Sequence, residues 1–281
     1  SMIPPEISSV ATLFVSGATT AVLIDGKASE WSDSDVVTET DGLRLSVKSD
    51  EAYIYFLIDL SANIFGQTPV YILADTIPDQ GNLSYEGKTF ANGADFLIRL
   101  DSEQSSVMLV DPYYDVFQYQ YSVQNKLVEP IEHQFEKNSG TFVPLYAAMN
   151  RQLTIPATGE VVPFSKFDAG KLTYGISDPD SASFNSLADF YASGNVIELR
   201  IPWLLFNVRD PGTKNIIADW NTTGSVTGQS TDGFQFAVCS DQSTGTIPFG
   251  KYTWDSWDLP TYHERLKKSY AIVQAFFATI P

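Results

Sequence analysis

The stretch "LRLSVKSDEAYIYFLIDL", Leu43 to Leu60, decides the fold class of this chain. Its first half alternates apolar side chains at Leu43, Leu45 and Val47 with polar ones, which is the period-two pattern of a half-buried strand. Its second half, from Ala52, is rich in β-branched and aromatic residues. The short polar segment between the halves predicts an antiparallel hairpin with a loop longer than the tightest two-residue turns.

Similar runs follow along the chain. They are "VYILADTI", "DFLIRLD", "SSVMLVD" and the tyrosine-rich "YYDVFQYQYSV", separated by turns rich in Pro, Gly, Asn and Asp. Many short strands with this punctuation predict an all-β protein, an antiparallel β-sandwich of the jelly-roll or immunoglobulin-like kind, in preference to a parallel α/β fold.

One or two short helices are expected beside the strands. The first is predicted over 185–193, with Asn185 as N-cap and Gly194 as the stop. The second is predicted near the C-terminus, where Leu266, Tyr270, Val273 and Phe277 share one helical face and Asp258 is a candidate N-cap with Pro260 in the first turn.

The chain of 281 residues is long enough to bury a sizeable core. We predict a single sandwich domain over 1–281, with an elaborated, loop-rich insertion around 111–190. Ser1 and Met2 resemble an expression remnant. We therefore expect the chain to be a piece of a larger protein whose other domains flank it.

Charge and cysteine content exclude several classes of function. The 34 acidic and 17 basic residues leave a formal charge of −17, which repels nucleic acids and anionic membrane surfaces. No apolar run approaches the roughly 18 residues that span a bilayer, so direct membrane insertion is not expected. Cys239 is the single cysteine, which excludes an intrachain disulfide and a cysteine-based zinc site.

Several segments, in order, resemble the family 9-like carbohydrate-binding modules, which belong with the DOMON-like β-sandwiches. The matching residues are Ile24-Asp25-Gly26, Glu30-Trp31, Asp50-Glu51 and Tyr53-Ile54-Tyr55, followed by "GADFLIRLD" (Gly93 to Asp101) and "VIELRIPWLLF" (Val196 to Phe206). These segments cover well under half of the chain. Residues 111–190 have no counterpart in the family pattern, so the resemblance does not locate a ligand site.

The resemblance implies a non-catalytic carbohydrate-binding or carbohydrate-associated module of a larger extracellular or cell-surface bacterial protein that handles polysaccharide. Its partner is then a glycan. Two alternatives stay open: a structural or docking sandwich without a sugar site, and a glycoside hydrolase. DOMON-like relatives can also bind haem, but three methionines and two histidines offer few axial ligands.

Motifs for catalysis or metal binding are weak in this sequence. The chain has no nucleophile elbow, His-Glu-x-x-His, P-loop or Gly-x-Gly-x-x-Gly pattern, and His133 and His263 lie in unrelated contexts. "DPDSASFNSLAD", 178–189, has the length of an EF-hand loop but lacks its Gly at position six and its Glu at position twelve. No cofactor is predicted. A structural Ca²⁺ in an acidic loop remains compatible with the composition, at residues that the sequence does not identify.

Two aromatic clusters carry the chemistry of sugar recognition, in which ring faces meet sugar C–H groups and nearby polar side chains meet hydroxyls. In "DPYYDVFQYQY" we select Tyr113 and Tyr114 as ligand-binding residues. In "YTWDSWDLPTYHER" we select Trp254, Asp255 and Trp257, because aromatic residues three apart in a turn can face the same side. The alternative for both clusters is packing, in the sandwich core or beneath the terminal helix.

Two other tryptophans have mainly structural interpretations. Trp31 is either a stacking platform for sugar or a corner of the sandwich, with its ring buried and its indole N–H bonded to backbone. Trp203, followed by three apolar residues, is predicted to lie in the core.

Overall fold

The computed structural model describes residues 22–257 and 269–279, and it confirms an all-β antiparallel sandwich. A five-stranded sheet faces a six-stranded sheet. The five-stranded sheet has the order β1-β2-β3-β15-β14, with bounds Val36–Thr40 (β1), Leu43–Ser49 (β2), Tyr53–Leu60 (β3), Phe190–Ser193 (β14) and Val196–Pro202 (β15). The six-stranded sheet has the order β21-β19-β4-β7-β8-β9, with bounds Val70–Asp75 (β4), Phe96–Leu100 (β7), Val107–Val110 (β8), Val143–Pro144 (β9), Phe234–Ser240 (β19) and Gly250–Tyr252 (β21).

Four smaller sheets decorate this sandwich. Their strands are Asn82–Tyr85 (β5), Lys88–Ala94 (β6) and Thr246–Ile247 (β20); Tyr146–Asn150 (β10) with Ser165–Asp168 (β13); Leu153–Thr154 (β11) with Val161–Val162 (β12); and Val208–Asp210 (β16), Asn215–Ile217 (β17) and Gly228–Ser230 (β18). The α-helical segments of the described residues are Val116–Gln118 (α1), Trp220–Thr223 (α2) and Ser269–Phe277 (α3).

The predicted hairpin at 43–60 is confirmed. Strands β2 and β3 pair antiparallel with Leu45 opposite Ile58 and Val47 opposite Phe56. These four side chains are at most 2% exposed and belong to the main core. The alternation in β2 therefore points one face inward, as a period of two requires.

The six-stranded sheet is buried on its inner face and over much of its outer face, which explains its nearly continuous apolar strands. In β4, Ile72 faces the main core between the two large sheets, whereas Tyr71 and Leu73 lie in a second cluster on the outer face. Phe90 of β6 and Ile247 of β20 pack on that outer face. The small sheet β5-β6-β20 thus forms a third layer over part of the sandwich.

The tyrosine-rich segment is helical, which corrects its prediction as a strand. Pro112–Tyr114 forms a 3₁₀ turn, and α1 continues directly into a π-helix over Tyr119–Gln124. The side chain of Asp111 accepts a hydrogen bond from the Tyr113 N–H, and that of Asp115 from the Gln118 N–H. Aspartates that cap in this way favour a helical start over a strand.

The helix predicted over 185–193 is also wrong. Asn185 makes a local turn, in which its side chain accepts a hydrogen bond from the Leu187 N–H at 3.0 Å, and Phe190–Ser193 forms β14. Gly194 has φ +59° in the hairpin turn from β14 to β15. Burial of Phe190 in the core, at 0% exposure, outweighs the local helical pattern.

The predicted C-terminal helix is present as α3 within the described residues. Its candidate cap Asp258, with Pro260 and Leu266, lies outside those residues. Every residue of α3 is exposed, Tyr270 and Val273 each by 48%. No helix in 22–257 or 269–279 is long and apolar enough to cross a membrane.

Candidate functional site

Three of the segments that carry the family resemblance, those of Asp25-Gly26, Trp31 and Glu198 itself, meet around one buried carboxylate. Glu198 of β15 is 0% exposed. Its Oε2 accepts hydrogen bonds from the backbone N–H groups of Asp25 (3.0 Å) and Gly26 (2.7 Å), and its Oε1 accepts one from the indole N–H of Trp31 (3.0 Å). Trp31 is thus a corner, as predicted, although its N–H binds a side chain and not the backbone.

A second junction joins Asp50 to the tryptophan that ends the "VIELRIPW" segment. The indole N–H of Trp203 donates to the Asp50 carbonyl at 2.8 Å, and the Tyr55 hydroxyl donates to Asp50 Oδ2 at 2.7 Å. Trp203 is 3% exposed, which confirms its place in the core. These contacts hold the strands and the N-terminal segment together, so the family-like residues have a structural role here.

The structure separates the three residues predicted at the "YTWDSW" cluster. Trp254 is 7% exposed. It packs 4.6 Å from Trp203 between ring centroids and donates its indole N–H to the Pro211 carbonyl at 2.8 Å. Asp255 is exposed and Trp257 is partly buried. The two tryptophans therefore do not form a paired platform, which corrects that expectation, and only Asp255 and Trp257 keep accessible surface.

A cavity of about 260 Å³ opens beside the helical segment that follows β8, and we call it the aromatic pocket. Its walls come from that segment, from β10 and from the turn after β15. The lining residues are Phe96, Val110, Tyr114, Asp115, Val116, Phe117, Gln120, Tyr121, Leu145, Tyr146, Ala147, Ala148, Leu204, Leu205, Asn207 and Ile217.

The pocket-lining rings of Phe117, Tyr121 and Tyr146 form a cluster with Phe164, which packs against Tyr121 and is not itself a lining residue. The Phe117 and Tyr121 centroids are 4.8 Å apart, Tyr121 and Phe164 are 5.1 Å apart, and Phe117 and Tyr146 are 6.0 Å apart. The ammonium of Lys166 lies 3.6 Å from the Tyr146 centroid, a cation–π contact. Tyr121 and Tyr146 are only partly buried, so their rings combine a packed side with an accessible one.

Polar groups lie among these rings. Asp115 is 4% exposed, and burial raises the pKa of its carboxyl to about 6. The Asn207 side chain donates to the Tyr114 carbonyl at 2.9 Å, and its residue takes a left-handed φ of +57° at the end of a 3₁₀ turn. Gln120 is partly exposed on the helical segment. The pocket therefore offers one carboxylate and two carboxamides beside apolar faces.

Both tyrosines predicted as ligand residues are largely buried, but one of them lines the pocket. Tyr113 is 6% exposed, and its hydroxyl donates to Asp219 at 3.0 Å. Tyr114 is 0% exposed and stacks on Trp220 at 5.1 Å, with an interplanar angle of 7°. Tyr114 therefore contributes to the inner wall of the aromatic pocket and does not provide an open stacking face.

Sequence reasoning missed Tyr146 and Asn207, which line the pocket, and also Phe164 and Lys166, which pack against its rings. Tyr146, Phe164 and Lys166 come from the region predicted as loop-rich, and Asn207 follows the predicted core strand. The aromatic residues in this region were the one sequence signal for this part of the candidate ligand site. Strands β10 and β13 pair with Ala147 opposite Phe167. This pairing brings the region predicted as loop-rich next to the helical segment, a contact that exists only in the folded protein.

The remaining candidate residues do not assemble into a second reactive site in the described part of the chain. His133 bonds Glu136 at 2.7 Å in an exposed loop, and His263 lies outside the described residues. The 178–189 segment forms turns with Asp178 accepting from the Asp180 N–H. Within 22–257 and 269–279 no group of three or more His, Cys, Asp or Glu side chains is placed to hold a metal ion.

Comparison with known proteins leaves the family resemblance a prediction from the residues quoted above. The chain matches no family model and no curated protein sequence.

Proposed function

We propose that this chain is a non-catalytic carbohydrate-binding or carbohydrate-associated module of a larger extracellular polysaccharide-handling protein, with the aromatic pocket as its ligand site. One observation carries the proposal: partly exposed Tyr121 and Tyr146 share a cavity with the Asp115 carboxylate and the Gln120 carboxamide. Aromatic faces pack on the C–H groups of a sugar ring, while carboxylates and carboxamides bind its hydroxyls.

The size of the pocket suggests which part of a glycan it takes. At about 260 Å³, it lies just below the roughly 300–1,000 Å³ of typical small-molecule sites. This volume suits one sugar ring or the end of a chain better than a long polysaccharide segment. The exposed Leu204, at 73%, lies on the lip and offers further apolar surface.

The carboxylates at the pocket favour binding over hydrolysis. Glycoside hydrolysis generally uses two carboxyl groups that flank the scissile bond about 5–10 Å apart. Among the described residues that line the pocket, Asp115 is the only carboxylate. Asp115 also has a structural role as a cap of the helical segment, because its Oδ1 accepts a hydrogen bond from the Gln118 N–H at 3.0 Å.

A glycan array followed by isothermal titration calorimetry tests this function. Tyr121→Ala and Tyr146→Ala should each weaken binding about five-fold, since a stacked ring contributes on the order of 1 kcal/mol. Tyr53→Ala is the matched control, because Tyr53 is also partly buried but packs in a cluster outside the pocket. It should leave affinity unchanged.

Two results would contradict the proposal in different ways. Binding of no glycan by the folded protein would favour the structural or docking alternative. Glycoside turnover that Asp115→Asn abolishes would identify the pocket as the active site of a hydrolase.

A further inference from the structure

A second concave site, which combines polar side chains with Ile77, Pro78, Leu83 and three glycines, lies on the outer face of the six-stranded sheet. Two adjoining cavities of about 400 and 160 Å³ share Asp75, Pro78 and Gln235, and we call them together the polar groove. Asp75 and Lys251 both pair with Gln235 across the neighbouring strands β4, β19 and β21. Since adjacent strands are about 4.8 Å apart, these side chains form an evenly spaced polar row.

The row contains hydrogen-bonding capacity that the described residues do not use. Asp75 Oδ2 accepts from the Asn92 side chain at 3.0 Å, while its Oδ1 and the Gln235 carboxamide have no partner among these residues. Gln80, which lines the larger cavity, is 8% exposed. Its Nε2 donates to Asp95 at 3.3 Å, yet its Oε1 has no partner within the described chain. Buried polar atoms are nearly always paired, so the unpaired Gln80 Oε1 points to an external ligand, to which the partly exposed Asp75 and Gln235 offer further hydrogen bonds.

The charges around the polar groove argue against an anionic ligand, and the described residues hold no group of three His, Cys, Asp or Glu side chains that could bind a metal ion. Lys251 is paired with Asp232 at 2.6 Å. Lys137 donates to the Asp79 carbonyl at 3.2 Å and lies 3.6 Å from the Asp219 carboxylate. Both ammonium groups are therefore already compensated, and neither provides a free charge for an anion.

The lining also differs in kind from that of the aromatic pocket. No aromatic residue is among the described residues that form either cavity, so ring stacking cannot supply the affinity. Carboxylates, carboxamides and backbone groups remain, and these complement hydroxyl groups, which both donate and accept.

We propose that the polar groove binds an uncharged polyhydroxylated ligand, a sugar or polyol, through its hydroxyl edge. Asp75 accepts hydrogen bonds from ligand hydroxyls, and Gln235 and Asn92 flank it as donors and acceptors. The site lies apart from the aromatic pocket, shares no lining residue with it, and does not depend on the function proposed for that pocket.

The test titrates the protein with cellobiose, maltose, xylobiose and myo-inositol, using calorimetry and saturation-transfer NMR. At least one probe should bind, and Gln235→Ala and Asp75→Asn should each weaken it at least ten-fold. Gln229→Ala, a matched change at a partly exposed glutamine of β18, and the pocket variant Tyr121→Ala should bind that probe as the unmodified protein does.

Three outcomes overturn the proposal: no probe binds, Gln235→Ala leaves binding intact, or Tyr121→Ala abolishes it. The last result would move the ligand to the aromatic pocket and support the function proposed there. Should Asp75→Asn fail to fold, Gln235→Ala decides alone, because its side chain has no hydrogen-bond partner in the described residues.

Discussion

Glu198→Ala should destabilise the protein strongly, although Glu198 lies in neither proposed ligand site. The substitution removes the acceptor of three N–H groups, those of Asp25, Gly26 and the Trp31 indole. A buried donor left without a partner costs about 1–3 kcal/mol. The Trp31 end is partly exposed and water can replace that bond, so we expect a total loss of about 2–4 kcal/mol.

Urea unfolding at pH 8, followed by circular dichroism and tryptophan fluorescence, measures this loss. Trp31→Phe, which keeps a ring and removes one donor, should cost about 1 kcal/mol. In a double-mutant cycle with Glu198→Ala, which removes the acceptor, the pair should show a coupling energy of about 0.5–1.5 kcal/mol.

Glu39→Ala is the control, because Glu39 is an exposed glutamate in the same sheet. It should change stability by less than about 0.5 kcal/mol. A Glu198→Ala loss as small as that of the control would refute the reasoning that this carboxylate joins the N-terminal segment to β15. Fully additive effects of Trp31→Phe and Glu198→Ala would refute the direct bond.

Three further predictions concern pH, the thiol and the sheet edge. Burial raises the pKa of the Asp111 carboxyl to about 7, so its stabilising contribution is complete below pH 4 and is lost as pH rises through 7. The unfolding midpoint should therefore fall between pH 5 and 8, and it should fall less in Asp111→Asn. Equal pH slopes of the midpoint in the two proteins would contradict this. Burial raises the pKa of the Cys239 thiol to about 12, so Ellman's reagent should leave the native protein unlabelled and titrate one thiol in guanidinium; rapid native labelling would disprove the burial. In Gly250→Ala the added Cβ would lie 1.8 Å from the Val37 carbonyl oxygen, so the variant should lose about 1–3 kcal/mol in urea unfolding, and an unchanged midpoint would show that β1 and β21 do not approach so closely.

Local patterns predicted most of the sandwich because they reflect geometry within one element. The alternation of Leu43, Leu45 and Val47 survives in the fold because a strand turns successive side chains to opposite faces. The two failures have different origins, one local and one tertiary. At Asp115 the helix-capping side chain was overlooked, and at Phe190 pairing with Leu199 of β15 overrode a local helix-like pattern.

The candidate sites were predicted less well, because accessibility depends on contacts between distant residues. The sequence shows that Trp254 and Tyr114 are aromatic, but burial by Trp203 and stacking by Trp220 are decided elsewhere in the chain. Gln235 carries no signal in the sequence for the proposed groove, since its polar row exists only when β4 and β21 flank β19.

The sequence by itself therefore determined the fold class, the hairpin at its centre and the acidic, cysteine-poor character of the surface. Only the tertiary structure decided that Glu198 joins three of the family-like segments, that Phe117 lies beside Tyr146 in the wall of a pocket, and that Asp75 lies opposite Gln235 in a groove. The physical reason is the separation along the chain over which each interaction acts. Strand periodicity and turn chemistry act over a few residues, whereas burial and pocket shape depend on the packing of side chains that lie tens to hundreds of positions apart.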